Sequence, residues 1–251
     1  MKEESKSWQR FEGKLRNLKQ YLQLMDLALK LSNKRCNKKK NDGISVGVAL
    51  GAKNDSHRQL NNPNLPKEIS RTFIAARKQL NEQAFVELHC LFSDYISHVV
   101  SEMSHGAPSR LLDILGKDTE RTIGFVEIIK LGSYDSIIDE MAKRIFRVLE
   151  NMRSSTQMMQ KLCKIADIQI DDKLLESALI YIDVRHLIIH NDSVVDDKFL
   201  VRDKEGLIPL NGKKLSLKYE ITNKASNTIY EICRKIDEQL INNKLVPIRP
   251  Q

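Results

Sequence analysis

The stretch Tyr181–Asp192, YIDVRHLIIHND, decides how the chain is read. Upstream of it and into it, Leu174, Leu175, Ala178, Leu179, Ile182 and Leu187 recur at helical spacing, which predicts a helix with one buried face. Asp171 and Asp172 place negative charge where the first turn of that helix favours it. Inside the stretch, Arg185 and His190 flank four residues, and His190-Asn191-Asp192 opens a polar stop. The predicted helix therefore carries an arginine and two histidines, His186 and His190, close to its end.

The same period extends outward in both directions. Phe11, Leu15, Leu18, Leu22, Met25 and Leu29 predict an amphipathic helix over 7–32, with Ser5 or Ser7 as its N-cap. After Pro66, apolar residues from Ile69 to Val99 predict a helix of about 36 residues, which His105-Gly106-Ala107-Pro108 ends. A short helix is expected over 108–115, followed by a polar connection as far as Tyr134. From the N-cap candidate Ser133, a stripe from Ile137 to Ile165 predicts a second long helix with an interruption near Ser154-Ser155. Beyond the Arg–His segment, Glu205-Gly206 and Asn211-Gly212 punctuate short alternating runs and predict a small hairpin, and 219–242 reads as a last helix. The stretch NKRCNKKKNDG and the proline-bearing residues after it read as a basic, irregular connection near 33–66, in which Lys38, Lys39 and Lys40 are candidate polyanion contacts. The expectation is an all-α bundle with long loops, formed by residues 1–251 as a single domain.

Arginine and histidine together suit phosphodiester chemistry. The guanidinium stays charged and holds two oxygens in a planar fork, while imidazole titrates near neutrality and moves protons. On an ideal helix Arg185 and His190 lie about 140° apart, whereas His186 and His190 differ by about 40°. Either the helix loosens before His190, or a second subunit brings its own pair to the same cleft. The competing reading pairs Arg185 with Asp183 or another neighbouring acid and leaves His190 to close the helix C-terminus. A metal pair at His186 and His190 lacks the glutamate of a zincin motif, because Leu187-Ile188-Ile189 stand between them. No metal and no cofactor is expected. His89, His98 and His105 share one long helix and read as core or surface residues; Asp94 and Glu102 are weaker candidates for a cleft.

Spacing alone is common in a chain with fifteen arginines and six histidines, so the context carries the reading. In that context VRHLIIHNDSVVDD resembles the signature segment of the HEPN superfamily, an Arg-x4-6-His motif near the end of a long helix with a polar residue after the arginine. The resemblance implies an antiparallel helical bundle that dimerises with the two motif segments facing each other. It implies a metal-independent ribonuclease in a toxin–antitoxin or other defence setting, with Arg185, His186 and His190 as site residues and Asn191 beside them. An RNA substrate, a homodimer and an antitoxin or defence partner follow as expectations, and so does the non-catalytic alternative, an RNA- or protein-binding dimer module. A structural helical adaptor is a third reading.

Composition agrees with an anionic partner: the chain of 251 residues has a formal charge of +8 and a pI near 9.2. The four cysteines are widely scattered without a C-x2-C pair, which argues for thiols rather than a zinc ribbon or a disulfide framework. Cys90, Cys163 and Cys233 read as structural residues of apolar helices. MKEESKSWQRFEGK alternates charge where a secretory peptide needs an apolar run, and no stretch is apolar for the length of a membrane span. A cytoplasmic, membrane-free protein is the expectation.

Overall fold

Ser5 starts the first helix. Its hydroxyl accepts the Trp8 N–H at 3.0 Å, satisfying one of the amide donors that every helix N-terminus leaves unpaired. The computed structural model describes residues 3–38, 50, 66–111, 114, 122–152 and 154–248. Helix α1 spans Lys6–Lys38 and so continues past Ser32 through the basic residues assigned to an irregular connection. Lysine and arginine are good helix formers, and Cys36 is buried among them, which gives the last turns something to pack. The rest of that connection, with Lys39 and Lys40, lies outside the described residues, as does the side chain of Lys38.

Helix α2 spans Pro66–Gly106, and a four-residue turn α3, Pro108–Leu111, follows the stop. Gly106 is required there: a Cβ on it would stand 2.8 Å from the carbonyl oxygen of Leu245. The expected polar connection before Tyr134 contains a helix, α4 (Phe125–Leu131), closed by Gly132 at φ 71°. None of its residues is buried, so it has no core-facing stripe for a periodicity reading to detect. The second long helix is two helices, α5 (Tyr134–Glu150) and α6 (Ser155–Ala166). The Ser133 hydroxyl accepts from the Ser136 N–H, and that of Ser154 from the Gln157 N–H, each at 3.2 Å.

Helix α7 spans Asp172–His190, with Asp171 capping it through the Leu174 N–H at 3.0 Å. A short helix α8, Asp197–Arg202, follows, capped by Asp196. The expected hairpin is present as β1 (Leu210–Asn211) and β2 (Lys214–Leu215), antiparallel with Leu210 opposite Leu215 and Gly212 at φ 62° in the turn. Helix α9, Tyr219–Asn242, completes an all-α architecture.

Helix α2 is the axis of the packing, in contact with α1, α5, α7 and α9. One continuous buried cluster joins Trp8 of α1, Phe85, Leu88, Phe92 and Ile96 of α2, Leu149 of α5, Leu162 of α6, Tyr181 of α7 and Ile229 of α9. At one end of this core sits a buried polar group. Asp237 accepts from the Ser5 N–H at 3.3 Å and from the Ser5 hydroxyl, while the Ser7 N–H donates to Glu102 at 2.8 Å. Arg234 lies 5.1 Å from the centre of the Trp8 ring and pairs with Glu4 and Glu238. Cys233 is fully buried and Cys163 partly so, but Cys90 is on the exposed face of α2, contrary to its reading as a structural thiol. Among the described residues, no helix is long and apolar enough to cross a membrane.

Candidate functional site

The end of α7 is fixed by the chain that follows it. The Asn191 N–H donates to Leu187 O at 3.1 Å, and Asp192 and Ser193 then adopt left-handed φ values of 49° and 61°. This reversal returns the Ser193 N–H to Leu187 O at 2.9 Å and brings the buried Ser193 hydroxyl to Glu82 of α2 at 2.6 Å. The hairpin secures the same segment, with the Leu215 N–H donating to Ser193 O at 2.9 Å and the Val195 N–H to Lys213 O at 2.8 Å. The polar stop read from HND is therefore a built turn, held from two sides.

Helix α7 remains helical through His190, so it does not loosen to bring His190 round to Arg185. Arg185 and His186 line a cavity of about 470 Å³ bounded by α2, α5, α6, α7 and α8. His190 does not line it. It is exposed, and its ring centre lies 4.9 Å from that of His186, as the i,i+4 relation requires. Asn191 is half-buried just beyond it and closes the helix through its backbone.

The pairing of Arg185 with Asp183 is not made. Asp183 instead accepts from the Ser155 hydroxyl at 2.6 Å and from the guanidinium of Arg202, which also reaches Thr156. Arg185 is half-buried and forms neither an ion pair nor a hydrogen bond among the described residues. An arginine in that position presents unused donors and a charge without a direct ion-pair partner to the cavity, the arrangement that suits a planar anion. Lys198 and Arg202 add positive charge to the wall, and Glu150, Asp183 and Asp196 add negative charge. Asp183 is held by Ser155 and Arg202, and Asp196 caps α8 through the Phe199 N–H at 2.8 Å.

His89 also lines this cavity. Burial, reinforced by the charge of Arg185, pushes its imidazole below the usual histidine range, against the opposing pull of Asp183 and Glu150. Sequence reasoning set His89 aside. The available signal was its place at the edge of a buried stripe, one residue after Leu88 and three before Phe92, where a titratable side chain is half out of water. The other α2 candidates are engaged elsewhere. His98 bonds Asp94 O at 2.5 Å and faces Arg10, and His105 pairs with Asp139 at 3.0 Å. Asp94 pairs with Lys14 at 2.9 Å and Glu102 accepts from Ser7, so neither borders the cavity.

A second hollow, between α1 and α2, carries Lys14 and Glu87 but neither histidine nor arginine. Among the described residues, no three or more His, Cys, Asp or Glu are grouped to hold a metal ion. No family model, curated protein or solved structure matches the chain. The functional reading therefore stands on the residues and their geometry.

Proposed function

We propose that this chain is a HEPN-type endoribonuclease that cleaves RNA without metal, acting in a defence or toxin–antitoxin setting. The observation that carries the reading is Arg185: half-buried, without an acidic partner among the described residues, and opening with His186 on one cavity. The formal charge of +8 favours encounter with a polyanion. In the reaction the 2′-hydroxyl attacks its own phosphorus, the bond to the 5′ oxygen breaks, and one proton is removed from the nucleophile while another reaches the leaving group. The products are a 2′,3′-cyclic phosphate and a 5′-hydroxyl. Arg185 neutralises the charge gathering on the non-bridging oxygens, and the histidines move the protons, each such effect being worth about 10²- to 10⁴-fold.

His190 enters through assembly. Because it does not line the cavity of its own chain, the reading includes a two-fold dimer in which the 181–192 segments approach each other and His190 completes the partner's site. The second reading is a dimeric HEPN-like module that binds RNA or protein without cutting it. It is favoured by the position of His190 and by the three carboxylates that offset the cavity's three cations.

The test is incubation of the purified protein with mixed RNA in EDTA. The expected result is cleavage to 2′,3′-cyclic phosphate ends, abolished in Arg185→Gln and His190→Ala with helicity unchanged. Binding without cleavage selects the module; strict dependence on Mg²⁺ rejects the mechanism; unfolding of both variants returns these residues to a structural role.

A further inference from the structure

The cavity holds a third titratable group that the motif does not contain. His89 stands on α2, lines the same cavity as Arg185 and His186 of the motif helix, and forms no hydrogen bond among the described residues. Both of its ring nitrogens are thus unclaimed by the described residues. We infer that His89 is the group that accepts the 2′-hydroxyl proton in this site, an assignment that rests on the ribonuclease reading above. His190, the motif histidine expected to do acid or base work, lies outside this cavity, whereas His89 and His186 share it with Arg185.

The charges around His89 favour that task. Arg185 and Asp183 face it from α7 and Glu150 from the end of α5, while Lys198 and Arg202 reach the same cavity from α8. Asp183 is occupied by Ser155 and Arg202, so it is not free to hold an imidazolium at His89. Partial burial beside Arg185 favours the neutral ring, the form with a lone pair to accept a proton. In the step, neutral His89 takes the 2′-hydroxyl proton as the oxygen bonds to phosphorus. The bond from phosphorus to the 5′ oxygen then breaks, and that oxygen receives a proton from His186 in its protonated form. Afterwards His89 releases its proton to water and His186 regains one, so the site returns to its starting state.

Three readouts test the assignment. With an RNA oligonucleotide in EDTA, His89→Asn and His89→Gln are expected to lower kcat by about 10²- to 10⁴-fold with KM little changed. The acid limb of the kcat/KM profile should vanish with them. With an oligonucleotide whose scissile 5′ oxygen is replaced by sulfur, the leaving thiolate needs no proton, so His186→Asn should recover rate and His89→Asn should not. Independently of turnover, the His89 imidazole should titrate below the usual histidine range by NMR and move upward in Arg185→Gln. Wild-type cleavage with undiminished rates in both folded His89 variants overturns the inference and leaves the ribonuclease reading intact. Rescue of His89→Asn by the sulfur substrate reverses its role and overturns the assignment. Absence of any cleavage by the wild type overturns the ribonuclease reading and the assignment with it.

Discussion

Replacing Asp237 with asparagine should stabilise the protein near neutral pH and destabilise it in acid. Asp237 is fully buried, and burial pushes its carboxyl from 3.8 up to about 6, despite the two hydrogen bonds it accepts from Ser5. An acid whose folded pKa is raised binds its proton more tightly in the native state, so its contribution to stability falls as pH rises through the interval from 3.8 to about 6. A shift of about two units corresponds to about 3 kcal/mol, felt in full above that window and absent below it. Asparagine carries no charge to bury but accepts with one oxygen rather than two, which costs about 1 kcal/mol for the lost bond to the Ser5 N–H. The variant should therefore be more stable than wild type by about 2 kcal/mol near pH 7 and less stable by about 1 kcal/mol near pH 3. Urea unfolding followed by circular dichroism across that range measures both arms. His89 acts with the opposite sign, losing stability as pH falls below its ordinary value of 6.5, but it is common to both proteins and cancels in the difference. Parallel stability curves for the two proteins would refute the reasoning, because they would mean that Asp237 titrates alike in the folded and unfolded chains.

Gly106→Ala forces a methyl to within 2.8 Å of the Leu245 carbonyl oxygen, and thermal melting should register a loss of about 1–3 kcal/mol; an unchanged melting temperature would show that the C-terminal segment yields freely. Leu149→Ala removes a fully buried side chain from the cavity floor and should lower the urea unfolding free energy by about 2–5 kcal/mol, whereas a loss under 1 kcal/mol would point to collapse of the site around the gap. For the dimer, Ile189→Cys in a Cys90→Ser background should form an intermolecular disulfide under mild oxidation, since Ile189 is 49% exposed beside His190 and Cys90 is the exposed native thiol among the described residues. Ser193 is unsuitable for that cross-link, being buried and at positive φ; a monomer that never cross-links through position 189 rejects the shared cleft.

The helices that bury a continuous stripe were legible in the sequence, and the segments that bury little or nothing were not. Helix α9 was read at the bounds it has, and α2 was read to its stop at Gly106, because the apolar period and the terminating residues agree there. Helix α4 was missed because its apolar side chains face outward, and the last turns of α1 because a run of basic residues resembles a solvated loop in the absence of a partner. At the site, Arg185 and His186 were legible as chemistry within one segment. His89 was not, since its significance comes from α2 crossing α7 and from Asp183 turning to Ser155 and Arg202, which no local pattern encodes.

The contact between Ser5 and Asp237 joins residues 232 positions apart, and that separation sets an order on synthesis. At ribosomal rates the interval between making the two is roughly ten to fifty seconds. Helix α1 thus reaches its full set of partners only after α9 is made, and a chain released before α9 has emerged leaves the Trp8 end of the core open to water. A truncation within α9 should therefore expose α1 as well as the cut helix, and proteolysis of arrested chains should cut α1 before it cuts α7.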